Sequence, residues 1–356
     1  MFSYEPNFDI ATSPDDVLVN TVNCVGVMGA GVAKAIREAY PSVMEPYKRA
    51  CDSGRFAPGT LHLHRVEGGP IIVNLATKLH WKNPSRIDWV GSGLLYLSRF
   101  LQAEMDRAPG TIRSVTLPPP GCGHGGLDWS RVHGMVRASL APVAAREVQI
   151  RVTVAEPEPG DWEPVYAGVG ARDTPDTVLQ LMRQIGCALG ERGYLLRSGG
   201  ARGADTAFET GARVVGGGKE IFLIRPDPVR PDAIVEISDT FERVMENFHP
   251  KPSALSPVAR SLMTRNGAQV FGANFDRPAD VLVCWTPGGR AGGGTGQAIR
   301  LAQAVGIPVL DLGRPDLVGM GVDDLVARIT DLVAARREEI GFPALAGGLS
   351  MECAPT

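Results

Sequence analysis

Apolar residues along the chain alternate between short runs and longer stretches with a spacing of three and four. The short runs predict strands at 15–20, 71–75, 112–117 and 147–154. The longer stretches predict helices at 31–40, 88–108 and 129–145. Strands that alternate with helices are typical of a three-layer α/β/α sandwich, which is the fold class expected for this part of the chain.

A stretch rich in proline and acidic residues interrupts the pattern and predicts a linker at 158–164. Behind it a second α/β unit begins. Residues 165–172 predict a strand that runs into a glycine turn, and further strands are predicted at 194–198, 221–224, 281–285 and 307–310. Thr174 and Pro175 are expected to cap a helix to about residue 192, a second helix follows the glycine turn after residue 198, and others are predicted near 255–270 and before residue 305. Residues from about 225 to 254 are expected to be irregular.

These elements predict two domains, at 1–157 and 165–338, and a loosely ordered tail at 339–356. The length of 356 residues, with 44% hydrophobic and 21% charged residues, suits two globular domains with sizeable cores. The sequence contains no apolar run of about 18 residues, and its start does not resemble a signal peptide. We therefore expect a cytoplasmic protein.

Charge and cysteine content exclude further classes. The net charge of −3 implies no broad basic surface, so a nucleic-acid substrate would be held locally, at a modified nucleotide. The six cysteines are scattered without metal-ligand spacing, so we expect free thiols, no metal and no cofactor.

The first candidate for chemistry is the segment 20–34, in which an apolar strand passes Asn20 and Asn23 into a glycine-rich turn and then a helix. Glycines at 26, 29 and 31 leave backbone N–H groups uncovered, and the helix start favours an anion such as a diphosphate. Such turns also occur where glycine serves geometry alone. Two later segments bear on the choice, a strand followed by Thr77, Lys78, His80 and Trp81, and a strand followed by glycines at 121, 123, 125 and 126.

Together the three segments, which span roughly residues 1–157, resemble the macrodomain family, and within it the DarG type of DNA ADP-ribosyl glycohydrolase antitoxins. The resemblance implies removal of ADP-ribose from a nucleobase, a thymidine-type adduct, on DNA. It also implies a toxin partner and a setting in toxin neutralisation or phage conflict. Its ADP-ribose-binding residues would be Asn20, Val27, Met28, Gly29, Gly31, Thr77, Trp81, Gly121, Cys122, Gly123, His124, Gly125 and Gly126.

The catalytic residues are expected to be Lys78, Asn23 and His80. Breaking a glycosidic bond at C1″ needs a nucleophile or an activated water, and an amine that follows a buried strand can be desolvated enough to react. In the resembling family the lysine of the Thr-Lys pair is catalytic, and it corresponds to Lys78; an ordinary surface lysine is the alternative. Asn23 is expected to read ribose hydroxyls or the leaving base, and His80 to donate to the substrate or order Lys78.

Other residues leave two readings open. Asn20 binds ribose or satisfies backbone groups, and Trp81 stacks on a base or packs in the core. Cys24 and Cys122 are nucleophiles or, as the resemblance implies, loop-packing residues. Asp128 is an N-cap or a base. His124 stands where the antitoxin relatives usually have asparagine, so its role is open.

The second half resembles the SLOG superfamily, which comprises Rossmann-like domains related to DprA and LOG proteins. The resemblance rests on the glycine turns at 167–172, 198–205 and 287–295. It implies a nucleotide-derived ligand and an oligomer formed through this domain, with contacts from Gly168, Arg172, Gly199, Gly200, Arg202, Asp205, Gly288, Gly289, Gly294 and Thr295. A salt-bridged rim that binds nothing is the alternative for Arg172, Arg202 and Asp205. LOG phosphoribohydrolases carry a glutamate where this chain has Ala298, so we expect binding rather than hydrolysis.

Two rival functions remain for the whole chain. One is hydrolysis of another ADP-ribose adduct, such as a protein ester or a small signal. The other is a binder that sequesters NAD-derived signal nucleotides without turnover.

Overall fold

Residues 1–158 and 163–342 are described by the computed structural model, and they divide into two units. The first unit comprises residues 1–158, 274–277 and 304–306, and the second comprises 163–273, 278–303 and 307–342. The predicted linker lies mostly outside the described residues, as does the tail beyond residue 342.

The first unit is built on a six-stranded sheet. Its strands are β1 (Phe2–Tyr4), β2 (Val17–Val22), β3 (Leu61–Arg65), β4 (Ile71–Ala76), β5 (Ser114–Leu117) and β6 (Gln149–Val152). The strand order is β1-β6-β5-β2-β4-β3, and every neighbouring pair is parallel except β3 with β4. The carboxyl ends of the parallel strands therefore share one edge, where the turn after β2 and the loops after β4 and β5 meet.

Helices cover both faces of this sheet. They are α1 (Gly31–Ala39), α2 (Met44–Asp52), α3 (Ile87–Arg107) and α4 (Trp129–Ala144). Val17 and Val19 of β2 belong to the core cluster of α3 and α4, whereas Leu18 and Val22 belong to that of α1 and α2. Because successive strand residues point to opposite faces, this alternation produces three layers. The predicted α/β/α sandwich is confirmed.

The second unit contains a five-stranded, fully parallel sheet. Its strands are β7 (Val165–Gly168), β8 (Leu195–Ser198), β9 (Lys219–Ile221), β10 (Val281–Cys284) and β11 (Val309–Asp311). The order β11-β10-β7-β8-β9 is that of a Rossmann-type sheet, with the reversal of strand order between β7 and β10. Its helices are α5 (Asp176–Glu191), α6 (Ala204–Val214), α7 (Thr240–Phe248), α8 (Pro257–Phe271), α9 (Gly293–Ala304) and α10 (Val322–Glu339).

Several expectations about this unit were wrong. Residues 225–254 are not irregular throughout, because α7 forms there and buries Phe241, Val244, Met245 and Phe248 at helical spacing. Thr174 does not cap α5: its hydroxyl donates to the carbonyl of Ala171, and the helix begins after Pro175 without a side-chain cap.

The end of the described chain is also more ordered than expected. Helix α10 was not predicted from the sequence. Ile340 and Phe342 are buried, so the first residues of the predicted tail are packed. No helix within the described residues is long and apolar enough to cross a membrane.

Candidate functional site

The turn that follows β2 is shaped by the side chain of Asn23. Its amide nitrogen donates to the carbonyl of Val27 at 2.6 Å, and its oxygen accepts from the N–H groups of Val25 and Val27 at 3.0 and 3.3 Å. The hydroxyl of Tyr47 donates to the Asn23 carbonyl at 2.7 Å. The amide group of Asn23 is thus used within the turn, and it positions the backbone that faces the site.

Helix α1 begins at this turn without a side-chain cap. Gly31, with φ of 55°, is its first residue, and Ala30 precedes it. A Cβ at Gly31 would lie 3.7 Å from Nδ1 of His124, so the glycine lets the helix start approach the loop after β5. The first N–H groups of a helix have no partner within it, which makes this end suitable for an anion.

Lys78 lies two residues beyond the end of β4. Its Nζ donates to the carbonyl of His124 at 2.5 Å. Burial lowers the pKa of the Lys78 ammonium below its ordinary value. No aspartate or glutamate is among the described residues that line the adjoining cavity, so no carboxylate there opposes this effect.

The loop after β5 folds tightly on itself. Leu127 N–H donates to the Gly121 carbonyl at 3.1 Å, and Ser85 N–H donates to the Gly125 carbonyl at 2.9 Å. A Cβ at Gly125 would lie only 2.1 Å from the Gly121 oxygen, whereas one at Gly123 would meet no atom within 4 Å. Glycine is therefore required at residue 125 by close packing, while residue 123 faces open space.

These segments enclose a cavity of about 730 Å³, a size suited to a nucleotide-derived ligand. Eleven of the sequence-predicted residues line it: Asn23, Val27, Gly29, Gly31, Thr77, Lys78, Trp81, Gly121, Gly123, His124 and Gly125. Lining residues that the sequence did not indicate include Thr21, Ser85, Pro118, Pro119 and Thr153. The buried hydroxyl of Ser85 has no hydrogen-bond partner within the described chain, so it is available to a ligand.

Five predicted site residues are not among those lining the cavity: Asn20, Met28, His80, Cys122 and Gly126. Asn20 and Met28 are buried beneath it, and the Asn20 amide donates to Asn74 Oδ1 at 2.8 Å across β2 and β4. His80 stacks on Trp81 with ring centroids 5.3 Å apart. Trp81 itself is 50% exposed, so the interpretation of core packing was wrong.

Cys122 and Asp128 have structural roles. Burial raises the pKa of the Cys122 thiol to about 12, and the thiol donates to the Pro120 carbonyl, so Cys122 remains protonated and is a poor nucleophile. The Asp128 carboxylate accepts from Ser130 N–H at 2.9 Å at the start of α4, which confirms the predicted N-cap. The described residues contain no cluster of side chains able to hold a metal ion.

A second, smaller cavity of about 330 Å³ lies in the other unit. It is placed where the strand order reverses, between the loops after β7 and β10, which is the usual ligand position in such a sheet. Of the predicted residues, Arg172, Asp205, Gly294 and Thr295 line it, together with Ala298. Gly168, Gly199, Gly200, Arg202, Gly288 and Gly289 do not. A Cβ at Gly168 would press on Phe208 and Leu196, so this glycine serves packing.

A buried ion pair forms the base of this second cavity. Asp205 Oδ2 lies 3.8 Å from Arg265 Nη1, and the carboxylate accepts from Gly170 N–H and Ala201 N–H. Burial raises the pKa of Asp205 and lowers that of Arg265, and their mutual attraction opposes both shifts. The partner of Asp205 is therefore Arg265 of α8, which the sequence analysis missed.

Three polar residues of α8, Arg265, Asn266 and Gln269, line the second cavity. The Gln269 side chain is buried, and its Nε2 has no partner among the described residues. In the sequence, these residues could have been recognised because Arg265 and Gln269 are polar and lie four positions apart near the end of a predicted helix.

Comparison with known proteins agrees with this description of the first unit. Residues 19–136 match the family model described as Macro domain. A DNA ADP-ribosyl glycohydrolase of Mycobacterium tuberculosis is 39% identical over 127 residues, which are 35% of this chain and 34% of the relative. One from Thermus aquaticus is 34% identical over 188 residues, which are 51% of this chain and 50% of the relative.

The solved macrodomain of Thermus aquaticus DarG is 34% identical and matches with a TM-score of 0.39, over 44% of this chain and 99% of that chain. The chain spans half the length, or less, of the two curated relatives. Residues 19–136 of the first unit thus match the Macro domain model, and the relatives of this part of the chain include DNA ADP-ribosyl glycohydrolases.

Proposed function

We propose that this protein is an ADP-ribosyl glycohydrolase that removes ADP-ribose from a thymidine-type nucleobase adduct on DNA. The observation that carries the proposal is the placement of Lys78 on the wall of a glycine-lined cavity, as a half-buried amine that has no carboxylate partner among the described residues. The names of the two curated relatives support it for the first unit.

Different parts of the cavity wall suit different parts of an ADP-ribose group. The uncapped start of α1, together with backbone N–H groups of the loop at 121–126, suits the two phosphates, because both present backbone donors and no acid. Thr21, Ser85 and Thr153 add hydroxyl groups to the same wall, which suit the hydroxyls of a ribose. Holding both ends of the ligand would fix the anomeric carbon beside Lys78.

The chemistry proposed for Lys78 is nucleophilic. Its neutral amine attacks C1″ of the distal ribose, the bond from C1″ to the base nitrogen breaks, and the electron pair leaves with the base, which takes up a proton. Water then attacks the same carbon, the C1″–Nζ bond breaks and its electron pair returns to nitrogen, which regenerates the amine. ADP-ribose is released, and the excess protons of the water and the amine pass to the solvent. The lowered pKa of Lys78 increases the fraction of reactive amine at neutral pH.

For the second unit we propose a binding role toward a nucleotide-derived anion, in keeping with its SLOG-like glycine turns. Arg172 and Arg265 face one acid, Asp205, so the cavity carries an excess of positive charge. The start of α9 adds backbone donors near Gly294 and Thr295. Ala298 lies where a LOG hydrolase would need its glutamate, which supports binding without turnover.

A toxin that attaches ADP-ribose to DNA would be the natural counterpart of such an activity, and neutralising it is the proposed biological setting. Oligomerisation through the second unit is part of the same proposal. Both can be examined once the activity itself has been measured.

The activity is tested by incubating the full chain with two substrates, an oligonucleotide carrying ADP-ribosylated thymidine and a peptide carrying an ADP-ribose ester, and by titrating it with free ADP-ribose. Release from the oligonucleotide is the expected result. Release from the ester alone would move the substrate to protein adducts. Tight binding of ADP-ribose in calorimetry without release from either adduct would indicate a binder.

The second unit is tested by titrating ADP-ribose, cyclic ADP-ribose and NAD into the full chain and into its Arg172→Gln variant. A binding event that the variant loses supports the second site. Identical isotherms for the two proteins would contradict it.

A further inference from the structure

Exposed apolar side chains are concentrated beside the mouth of the first cavity. Of the eleven large hydrophobic side chains exposed in the described chain, four lie in two short loops: Val25, Val27, Leu79 and Trp81, at 43%, 39%, 50% and 50% exposure. Cys24 N–H donates to the Leu79 carbonyl at 3.1 Å, which joins the two loops. We call these four residues the apolar rim. Val27 and Trp81 also line the cavity, so the rim is continuous with it.

Trp81 is the largest member of the rim. The His80 ring stacks on it, and the Lys82 ammonium lies 5.0 Å from the centre of the indole ring. The lysine stem is flexible, so Lys82 can move to a neighbouring anion and uncover the ring. The indole is thus held in place by its neighbours while half of its surface remains accessible.

Two exposed lysines next to the rim have no acidic partner. Lys82 makes no ion pair within the described residues, and neither does Lys48, whose side chain packs beside Gly26 in the first of the two loops. Lys34, by contrast, lies 3.8 Å from Glu38 in the same helix. The rim therefore combines an apolar, aromatic surface with uncompensated positive charge.

Aromatic surface next to unpaired cations is the combination that recognises single-stranded nucleic acid. Bases stack on the aromatic ring whatever their identity, and lysines meet the phosphates. A peptide would also contact apolar residues, but a neutral peptide backbone gives no role to two unpaired lysines. The rim is local, which agrees with a net charge of −3 for the whole chain.

We propose that the apolar rim, with Lys48 and Lys82, binds the nucleic-acid strand that flanks the modified nucleotide. Neighbouring bases stack on Trp81 and lie against Val25, Val27 and Leu79, while the flanking phosphates contact the two lysines. The rim thereby selects nucleobase adducts over protein adducts. The inference rests on the proposed function, because it names the substrate class of the same site.

The test compares kcat/KM for two substrates, ADP-ribosylated thymidine as a free nucleoside and the same adduct within a single-stranded oligonucleotide. We expect the wild type to prefer the oligonucleotide by about tenfold or more. Trp81→Ala should remove most of this preference and Trp81→Phe should keep most of it. Leu63→Ala, which truncates an exposed residue on the edge strand β3, should leave the preference unchanged.

The lysines are tested through the salt dependence of the oligonucleotide reaction. Lys48→Gln and Lys82→Gln should each reduce the slope of log(kcat/KM) against log salt by about 0.7, the contribution of one phosphate contact on a single strand. Lys34→Gln, which removes a paired lysine, should leave the slope unchanged. If Lys48→Gln and Lys82→Gln gave the same salt slope as Lys34→Gln, the proposed contacts of these two lysines with the phosphates would be overturned.

Failure of the rim and failure of the proposed function give different results. If the free nucleoside and the oligonucleotide are processed with equal kcat/KM, the proposal for the rim is overturned while the proposed function stands. The same conclusion follows if Trp81→Ala lowers kcat/KM equally for the oligonucleotide and for an ester-linked peptide. If the wild type releases neither, the catalytic proposal fails, and anisotropy with a labelled adduct oligonucleotide tests the rim instead. Tighter binding of the adduct oligonucleotide than of ADP-ribose then supports the rim, and equal affinity overturns it.

Discussion

The two cavities share an architecture and differ in whether the lining cation, Lys78 or Arg265, has an acidic partner. Each lies at the carboxyl ends of parallel strands and is lined by glycine turns. In the first, Lys78 contacts a backbone carbonyl, and no carboxylate is found among the lining residues that the structure describes. In the second, Arg265 faces the buried Asp205 at 3.8 Å. A cation with no acidic partner can lose its proton and react, whereas a paired guanidinium stays charged and can only bind.

A glycine-lined crevice therefore does not by itself indicate catalysis. Backbone donors suit phosphates in both units, but the first cavity alone holds an amine whose pKa is lowered by burial. The first volume, about 730 Å³, also exceeds the second, about 330 Å³, which leaves room for the adduct as well as for its phosphates.

Replacing the two cations separately should give the largest difference in activity between the two cavities. Lys78→Met should lower the rate of release about 10²- to 10⁴-fold, because the reactive amine is lost, while ADP-ribose affinity changes only a few-fold. Arg265→Met should leave the release rate unchanged. Stopped assays of ADP-ribose release at saturating substrate measure both. A similar loss of activity in the two variants would mean that the cavities do not differ as described.

For the free energy of unfolding, we expect Arg265→Met to have a larger effect than Lys78→Met. Arg265→Met leaves the Asp205 carboxylate buried without its cation, and we expect the second unit to lose about 3 kcal/mol of unfolding free energy. The double variant Arg265→Met, Asp205→Asn should recover part of the loss. Urea unfolding followed by hydrogen exchange in α6 and α8 reports on this unit. A loss below about 0.5 kcal/mol, the usual effect of a surface substitution, would contradict the buried pair.

Two glycines of the same loop, Gly123 and Gly125, test the packing of the first cavity. Gly125→Ala places a Cβ against the Gly121 carbonyl and should cost about 2 kcal/mol of stability and weaken ADP-ribose binding. Gly123→Ala meets open space and should change stability by less than about 0.5 kcal/mol. Thermal unfolding and calorimetry of the two variants give the comparison, and equal effects would refute the packing argument.

The pH dependence of the reaction is a further test of the Lys78 amine. Burial lowers the pKa of Lys78 below its ordinary value of 10.5, so the neutral amine is populated at lower pH than in a free lysine. The value of kcat/KM should rise about tenfold per pH unit below this pKa and level off above it. A rate that falls as the pH rises over the same range would show that the protonated ammonium is the active form.

Much of the fold follows from local pattern. Strands β2 and β4 and helices α3 and α4 were predicted because their apolar periods are clear. Helix α2 and strand β3 were missed because exposed charges and histidines interrupt their apolar residues. Helix α7 was missed because its proline-rich surroundings suggested irregular chain.

Site residues that lie in turns could be predicted from the sequence. Residues within strands were harder to predict, because the face of the sheet on which a side chain lies decides whether it reaches the cavity. Lys78 and the glycine loops line the cavity as expected. Asn20 does not, because its place within β2 directs it to Asn74 in the sheet, and sequence alone does not say which strand residue pairs with which. Ser85 and Arg265 were missed because each reaches its cavity from an element far along the chain from the glycine motif beside it.

A crystal structure of the protein with ADP-ribose bound would show whether the Lys78 amine lies beside the anomeric carbon. We expect the diphosphate to lie against the start of α1 and the loop at 121–126, with C1″ of the distal ribose within about 3.5 Å of Lys78 Nζ. Density for ADP-ribose in this cavity with C1″ remote from Nζ, or an empty cavity with the ligand bound elsewhere, would contradict this placement.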